Sequence, residues 1–417
     1  MEKLTKDDVH PKIVQALLGA DTDLTVEDAL ENEMILNMGP QHPATHGVLR
    51  VLLRLDGETV VAAVPELGYL HRGYEKMAEN MGFYEFIPHT DRLDYISPPA
   101  NNAAYCLAVE KLVGIEAPAR AQWIRMIFSE LSRIASHLLA IGALAMDVGA
   151  LTVFLWCLRE REKVLDIYDR VCGARFTTSF ARVGGVASDM DDIAANMIKA
   201  FIDQFESKIE EVEKLLNANR IFVERLEGIG YVSATDAIDF GLTGPSLRGS
   251  GVPHDLRRAK PYYFYDKVDF KVITYNEGDA LARYFVRADE LREAVKIIDQ
   301  CLKMIPKGEV MANQPKKVPA KKTEIYTKME ELIHDFMIIN HGITPPVGDV
   351  YQAVENPKGE LGFYIVSKGE GHPWKMKIRS PSFVNLGSLA HMCKGAMISD
   401  VVAIIGSLDP VMGEADK

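Results

Sequence analysis

The sequence predicts an α+β fold. Three observations carry this. Residues 49–64 alternate apolar and polar around a hairpin signal, residues 118–306 hold long helical stripes, and residues 360–383 return to a strand-like pattern. The same pattern divides the chain into an extension (1–32), an N-terminal β unit (33–117), a central helical bundle (118–306) and a C-terminal α+β lobe (307–417).

Residues 1–32 are polar with no sustained period. Strand character begins at Met34. Leu49, Val51, Leu53 and Leu55 alternate with Arg50, Leu52 and Arg54; Asp56-Gly57 reads as a hairpin turn, and Thr59 to Val64 return. Residues 118–141 then place Trp123, Ile127, Leu131, Ile134 and Leu138 on one helical face.

Residues 138–158 (LLAIGALAMDVGALTVFLWCL) approach the length of a membrane span. Two glycines near Asp147 interrupt the run, and the charged REREK follows. Two buried helices joined near Gly149 are the better reading, with Asp147 in apolar surroundings where a lone carboxylate is costly. A further helix is expected over 188–217, capped at Ser188-Asp189 and striped by Ile193, Met197, Phe201, Phe205, Ile209, Val212 and Leu216. Another covers 287–305 and stops at Pro306. The lysine-rich stretch 307–323 reads as a solvated loop, followed by a helix over 326–338. A β-like region follows, with its turn at Gly369 and Gly371, then a short helix and a loop.

The net charge of −12 argues against a nucleic-acid grip, which wants a basic surface. The five cysteines, Cys106, Cys157, Cys172, Cys301 and Cys393, form no CxxC pair, so the common zinc, iron–sulfur and dithiol motifs are missing. They read as small buried hydrophobes in a reducing compartment. The N-terminal MEKLTKDDVHPKI lacks the apolar core of a secretory signal.

Three places could carry chemistry. GPQHPATHG, residues 39–47, sets His42 and His46 on a loop stiffened by Pro40 and Pro43. His46 directly precedes the strand and can exchange a proton near neutral pH. The alternative is that both histidines only bond backbone in a turn. Tyr95, in DRLDYISPP, offers a phenol as donor and second proton source, or is a packed core tyrosine. Asp147 wants a basic partner, a histidine being a natural one. Arg72, Arg133, Arg182 and Arg248 read chiefly as structural ion pairs.

The motifs GPQHPATHGVLR, ELGYLHRGYEK, DRLDY, ELSRIASHLL, RVGGV, LTGPSLRGSG, KGELGFYIVS, SPSFVNL and SLDPVMGEADK follow one another in order. From about residue 33 to the C-terminus they resemble the 49-kilodalton subunit family of proton-pumping NADH–quinone oxidoreductase, respiratory complex I. That family is related to the nickel–iron hydrogenase large subunit, which implies the same fold. A hydrogenase holds its metals on four cysteines. The matching stretches here, RLDYISPP and SLDPVMG, contain none, so the ancestral metal cavity is expected to have become an organic-substrate pocket.

The resemblance implies that His46 and Tyr95 hydrogen-bond a quinone head group and that Asp147 pairs with the histidine. It implies no metal or cluster on this chain, with electrons coming from a 4Fe–4S cluster in a neighbouring subunit. Arg72 matches an arginine near that cluster. Thr177 stands where many members carry a histidine that links the cluster's potential to pH. Its replacement favours menaquinone over ubiquinone. The expected partners are the iron–sulfur subunit of the quinone module, other peripheral-arm subunits and membrane-arm subunits, on the cytoplasmic side of a bacterial membrane. The alternatives are a complex fed by ferredoxin or a deazaflavin, and a structural subunit whose pocket is lost.

Overall fold

A computed structural model describes residues 33–41, 47–314 and 317–417. The expected extension, residues 1–32, lies outside them. Helices and antiparallel sheets occupy separate stretches, an α+β arrangement. The first sheet runs β1 (Met34–Met38), β2 (Arg50–Asp56) and β3 (Thr59–Glu66), in that order. Asp56 pairs with Thr59, so the turn is Gly57-Glu58, one position later than expected. Gly57 takes φ 60, the left-handed conformation such a turn needs. Val51, Leu53 and Leu55 pack with Leu389, Val401 and Ile405 from the far end of the chain.

The main helices are α1 (Pro98–Val113), α2 (Ala119–Asp147), α3 (Leu151–Cys172), α4 (Asp192–Leu216) and α5 (Ala280–Met304). The expected apolar face of α2 is buried throughout, and so is most of its opposite face. α2 is long and apolar enough to cross a membrane, yet 89% of its most apolar window is buried inside the protein. It runs on to Asp147 because Gly142 does not break it. A Cβ at Gly142 would lie 3.2 Å from Cys157 and Phe154, so this glycine is where α3 crosses closely. Gly149, at φ 96, makes the break between the two helices. Asp147 at the end of α2 is half-buried, not enclosed by apolar groups as expected.

Two other helices begin elsewhere than expected. α4 is capped by Asp191, which accepts from Ala194 N at 2.8 Å. Ser188 instead donates to the Val171 carbonyl, and Asp189 takes Arg120. Ile193 is exposed, while Ala194, Ile198 and Ile202 are buried. A strict four-residue spacing drifts around a 3.6-residue helix, and the buried stripe keeps its place by mixing steps of three and four. α5 starts at Ala280, capped by Asp279. Its buried face carries Arg283, Arg287, Glu290 and Glu293, which hide the stripe.

In the C-terminal part, α6 (Met329–His341) begins at Met329, three positions after its expected start, with a separate helical turn over Lys322–Ile325. A second antiparallel sheet joins β4 (Gly348–Asn356), β5 (Gly359–Ser367) and β6 (Lys375–Arg379). β4 is an addition to the expected pattern. α7 (Ile398–Leu408) leads into a tail, residues 409–417, buried almost to its end. The cysteines are unpaired, four buried and Cys172 half-buried.

A lattice of buried charge holds these parts together. Glu130, Arg133 and His137 lie on one face of α2. Glu130 accepts from both Arg257 (3.1 Å) and Arg133 (3.1 Å), and from Tyr265 (2.7 Å). Arg257 also holds Asp255 at 2.7 Å. Arg248 bridges Glu290 of α5 and Glu355 of β4, each at 2.8 Å. Burial alone would raise the Glu290 carboxyl, but Arg248 and then His137 hold it well below the usual carboxylate range. Burial takes His137 down to about 4, so it is neutral and donates its Nε2 hydrogen to Glu290 at 2.8 Å. Arg133 and Arg248 are thus structural, as expected, whereas Arg72 and Arg182 are exposed.

The tail is seated by a close backbone approach. A Cβ at Gly413 would lie 2.6 Å from the Leu93 carbonyl and 2.8 Å from that of Arg92. Both the lattice and this contact can be tested. Arg257→Met leaves Glu130 and Asp255 buried with too few donors and should cost about 3–5 kcal/mol; an unfolding midpoint in denaturant equal to the parent's would show the lattice to be dispensable. Gly413→Ala should cost about 1–3 kcal/mol by overpacking, read as a lower melting temperature of the assembled complex. No change would mean that the tail can shift at no cost.

Candidate functional site

Tyr95 sits on a stiff turn. The Asp94 side chain accepts from Ile96 N at 3.1 Å, and its carbonyl accepts from Ser97 N and Asn101 Nδ2. Pro98 then opens α1, with its φ already set for a helix. This projects the Tyr95 ring outward, 42% exposed, and its hydroxyl has no hydrogen-bond partner among the described residues. Burial of the rest of the ring, then the charges of Asp94 and Asp409, raise its pKa above the usual phenol value. The phenol is therefore protonated at neutral pH and free to donate.

The tail gathers the other pieces. A Cβ on Gly47, where the histidine loop rejoins the described chain, would lie 3.5 Å from Met412 Cγ. One on Gly413 would lie 3.4 Å from Tyr95 Cδ1. Asp416 accepts from Gly68 N (2.9 Å) and Leu70 N (2.7 Å), and its carbonyl meets His71 Nδ1 at 2.5 Å. One short segment thus contacts the exit of the histidine loop, the Tyr95 turn and the Arg72 loop. His46 and His42 lie outside the described residues. Asp147 ends α2, where the helix dipole disfavours a carboxylate and a cationic neighbour would be welcome.

Arg72 and Thr177 are both exposed. Arg72 donates to the Tyr74 hydroxyl at 3.1 Å, and the Tyr74 ring meets His89 edge-on. Two residues on, Asp91 accepts from Ser179 N and Oγ, which ties in the loop that carries Thr177. Contacts therefore connect the two segments, although the two side chains do not touch.

Sequence reasoning passed over four buried charges beside Tyr95: Asp94, Lys358, Asp409 and Glu414. Lys358 occupies the β4–β5 turn, an ordinary place for a solvated lysine. Here it is buried, donating to Ser136 Oγ at 2.7 Å and to Asp409. Asp409 takes φ 52, a left-handed conformation uncommon outside glycine, which turns the chain from α7 into the tail. The only sequence signal was their position inside the DRLDY, KGELGFYIVS and SLDPVMGEADK motifs. Among the described residues, no group of three or more His, Cys, Asp or Glu side chains is placed to hold a metal ion.

Comparison with known proteins agrees with the order of these motifs. A family profile described as the 49 Kd subunit of respiratory-chain NADH dehydrogenase matches residues 147–417. The chain is 60% identical to a D-type NADH-quinone oxidoreductase subunit of Chloroherpeton thalassium, over 97% of this chain and 93% of the relative. It is 56% identical to the D-type subunit of Salinibacter ruber (94% and 87%) and 55% identical to that of Methylacidiphilum infernorum (94% and 94%). The chain belongs to the family of the 49-kilodalton, D-type subunit of respiratory-chain NADH–quinone oxidoreductase.

Proposed function

We propose that this chain forms the quinone head-group site of its complex. As a member of the 49-kilodalton subunit family it is part of the proton-translocating NADH:quinone oxidoreductase. The observation that carries the site assignment is the Tyr95 hydroxyl. It is protonated, faces outward, and has no partner among the described residues; beside it runs the tail that also meets the end of the histidine loop.

In this reading His46 and Tyr95 donate to the two carbonyl oxygens of the quinone. Reduction adds two electrons and two protons, and the oxygens gain negative charge as the electrons arrive. A phenol and an imidazolium at those oxygens stabilise that charge and supply the protons. Asp147 orients His46 and favours its charged form. The meeting of the Tyr95 turn with the tail fits a pocket in the place where a hydrogenase would hold its metals.

Electrons reach the quinone from a 4Fe–4S cluster in the neighbouring subunit. Arg72 lies towards that cluster and raises its potential. Thr177 cannot titrate, which leaves the cluster at a lower, less pH-dependent potential suited to menaquinone. The exposed apolar face of α6 (Met329, Ile333, Phe336 and Ile339) suits the burial of this chain against partner subunits. We place the assembly on the cytoplasmic face of the membrane, with this chain peripheral and its reduction step coupled to proton translocation.

Tyr95→Phe in the assembled complex should lower quinone reduction on the order of 10²-fold, while electron flow to an artificial upstream acceptor is kept. Equal rates on both acceptors would return Tyr95 to the status of a packing residue. A redox titration of the neighbouring cluster should give a midpoint that depends only weakly on pH, and Thr177→His should steepen the slope; a steep slope in the parent chain would sink the menaquinone argument.

A further inference from the structure

Two buried carboxyl groups beside Tyr95 are left half-satisfied. Asp94 and Glu414 are both fully enclosed. They come from opposite ends of the chain and are brought together where the Gly413 backbone presses on Leu93. Glu414 Oε1 accepts twice, from Ser382 N at 3.1 Å and from Ser382 Oγ, which itself accepts from Val411 N at 3.1 Å. Glu414 Oε2 has no partner among the described residues, and neither does Asp94 Oδ2. An ionised oxygen buried without a donor is strongly unfavourable.

The neighbouring cations do not remove the deficit. Lys358 donates to Asp409 and Ser136, and makes no hydrogen bond to Asp94 or Glu414. Arg161 feels the charge of Asp94, but its guanidinium lies over the Phe176 ring. Lys417 feels the charge of Glu414 and donates to the Ile378 carbonyl. Asp409 and the Tyr95 phenol complete the titratable surroundings. One proton held by the pair removes one of the two buried charges: with Glu414 Oε1 acting as a double acceptor, the proton belongs on Oε2.

We propose that Asp94 and Glu414 together hold one proton beside the head-group site and return it, through one water at the exposed hydroxyl, to Tyr95 after Tyr95 has protonated the reduced quinone. This rests on the reading of Tyr95 as a head-group donor. In the step, the quinol O–H forms as the Tyr95 O–H breaks, leaving a phenolate. The Glu414 O–H then breaks as its proton passes to the water, and the water gives up a proton to re-form the Tyr95 O–H. The pair is left as two carboxylates facing Lys358 and Arg161, and a proton from water refills it. Asp94 and Glu414 act through Tyr95 and are positioning residues, not groups that touch the substrate.

The electrostatics agree with the geometry. Burial, then the charge of Asp94, push the Glu414 carboxyl up to about 8. Burial raises Asp94 as well, with Lys358 opposing and Asp409 reinforcing the shift. The sign is that of a group raised on folding. The proton is held at neutral pH and lost as pH rises through about 8; the stability tied to it is full below the ordinary value of 4.5, falls as pH rises from there, and is gone by about 8.

The test is infrared spectroscopy of the assembled complex across neutral to alkaline pH, with quinone reduction measured beside it. The parent complex should show a carboxylic-acid C=O band that fades as pH rises, is sensitive to deuterium oxide and is missing in Glu414→Gln. That variant should also lose the alkaline fall in quinone reduction, with a several-fold lower rate at neutral pH and unchanged upstream electron flow. Asp94→Asn should shift the band, not remove it. A band that survives in Glu414→Gln overturns the proposal, as does an alkaline limb that stays put while Tyr95→Phe still cuts quinone reduction. If the variants fail to assemble, the titration of the parent alone decides: absence of a carboxylic-acid band at neutral pH overturns the proposal. A silent Tyr95→Phe removes the delivery step by refuting the site reading, and the band still reports separately on the shared proton.

Discussion

The position of everything around Tyr95 depends on the charge lattice along α2. A buried carboxylate or guanidinium is tolerated only when its partners are all in place. Glu130, Glu290, Glu355 and Asp255 come from four different stretches of chain, and Arg133, Arg248 and Arg257 stitch them together. Each element must dock in one register or leave a charge stranded. Apolar packing alone would let long helices such as α2 and α5 slide; the ion pairs do not.

From that floor the constraint passes to the site in few steps. Arg133 holds the Glu355 carbonyl at 2.7 Å, which fixes the β4–β5 turn. Asn356 in that turn bonds Ser97 and Asn101, just past Tyr95. Lys358, two residues further, reaches Ser136 on α2 and Asp409 at the root of the tail. Tyr95 and the tail are thus held against one rigid hairpin turn, the kind of support that the proposed contact with a small planar substrate calls for.

Much of this was legible in the residues, and the exceptions have physical reasons. The alternation at Leu49–Leu55 marks β2 because one face is covered, and Gly149 marks the α2–α3 break because it takes a positive φ. Gly142 has the same identity and the opposite role: a close helix crossing excludes a side chain there, and nothing in one sequence separates the two cases. The start of α5 was hidden because its buried face is charged. Asp94, Lys358, Asp409 and Glu414 look like surface residues in a linear reading; their burial exists only once residues far apart in sequence have met. Tyr95 stood out as a candidate because a phenol between an acid and a double proline sits on a stiff turn, and the structure leaves it partly exposed, not packed in the core.

The tail also fixes when the site can come into being. Asp416 bonds the backbone of Gly68 across 348 positions of sequence, and Gly413 presses on Leu93. Contacts of such separation form late, because the intervening loop must close first. On a ribosome adding roughly 5–20 residues per second, the Tyr95 turn waits tens of seconds for its other wall. During that interval the burial site for Asp94 and the apolar face of β2 stand open to water. The nascent chain is therefore most vulnerable to mispairing before the tail has been made, and the mature site is a record that this late contact formed.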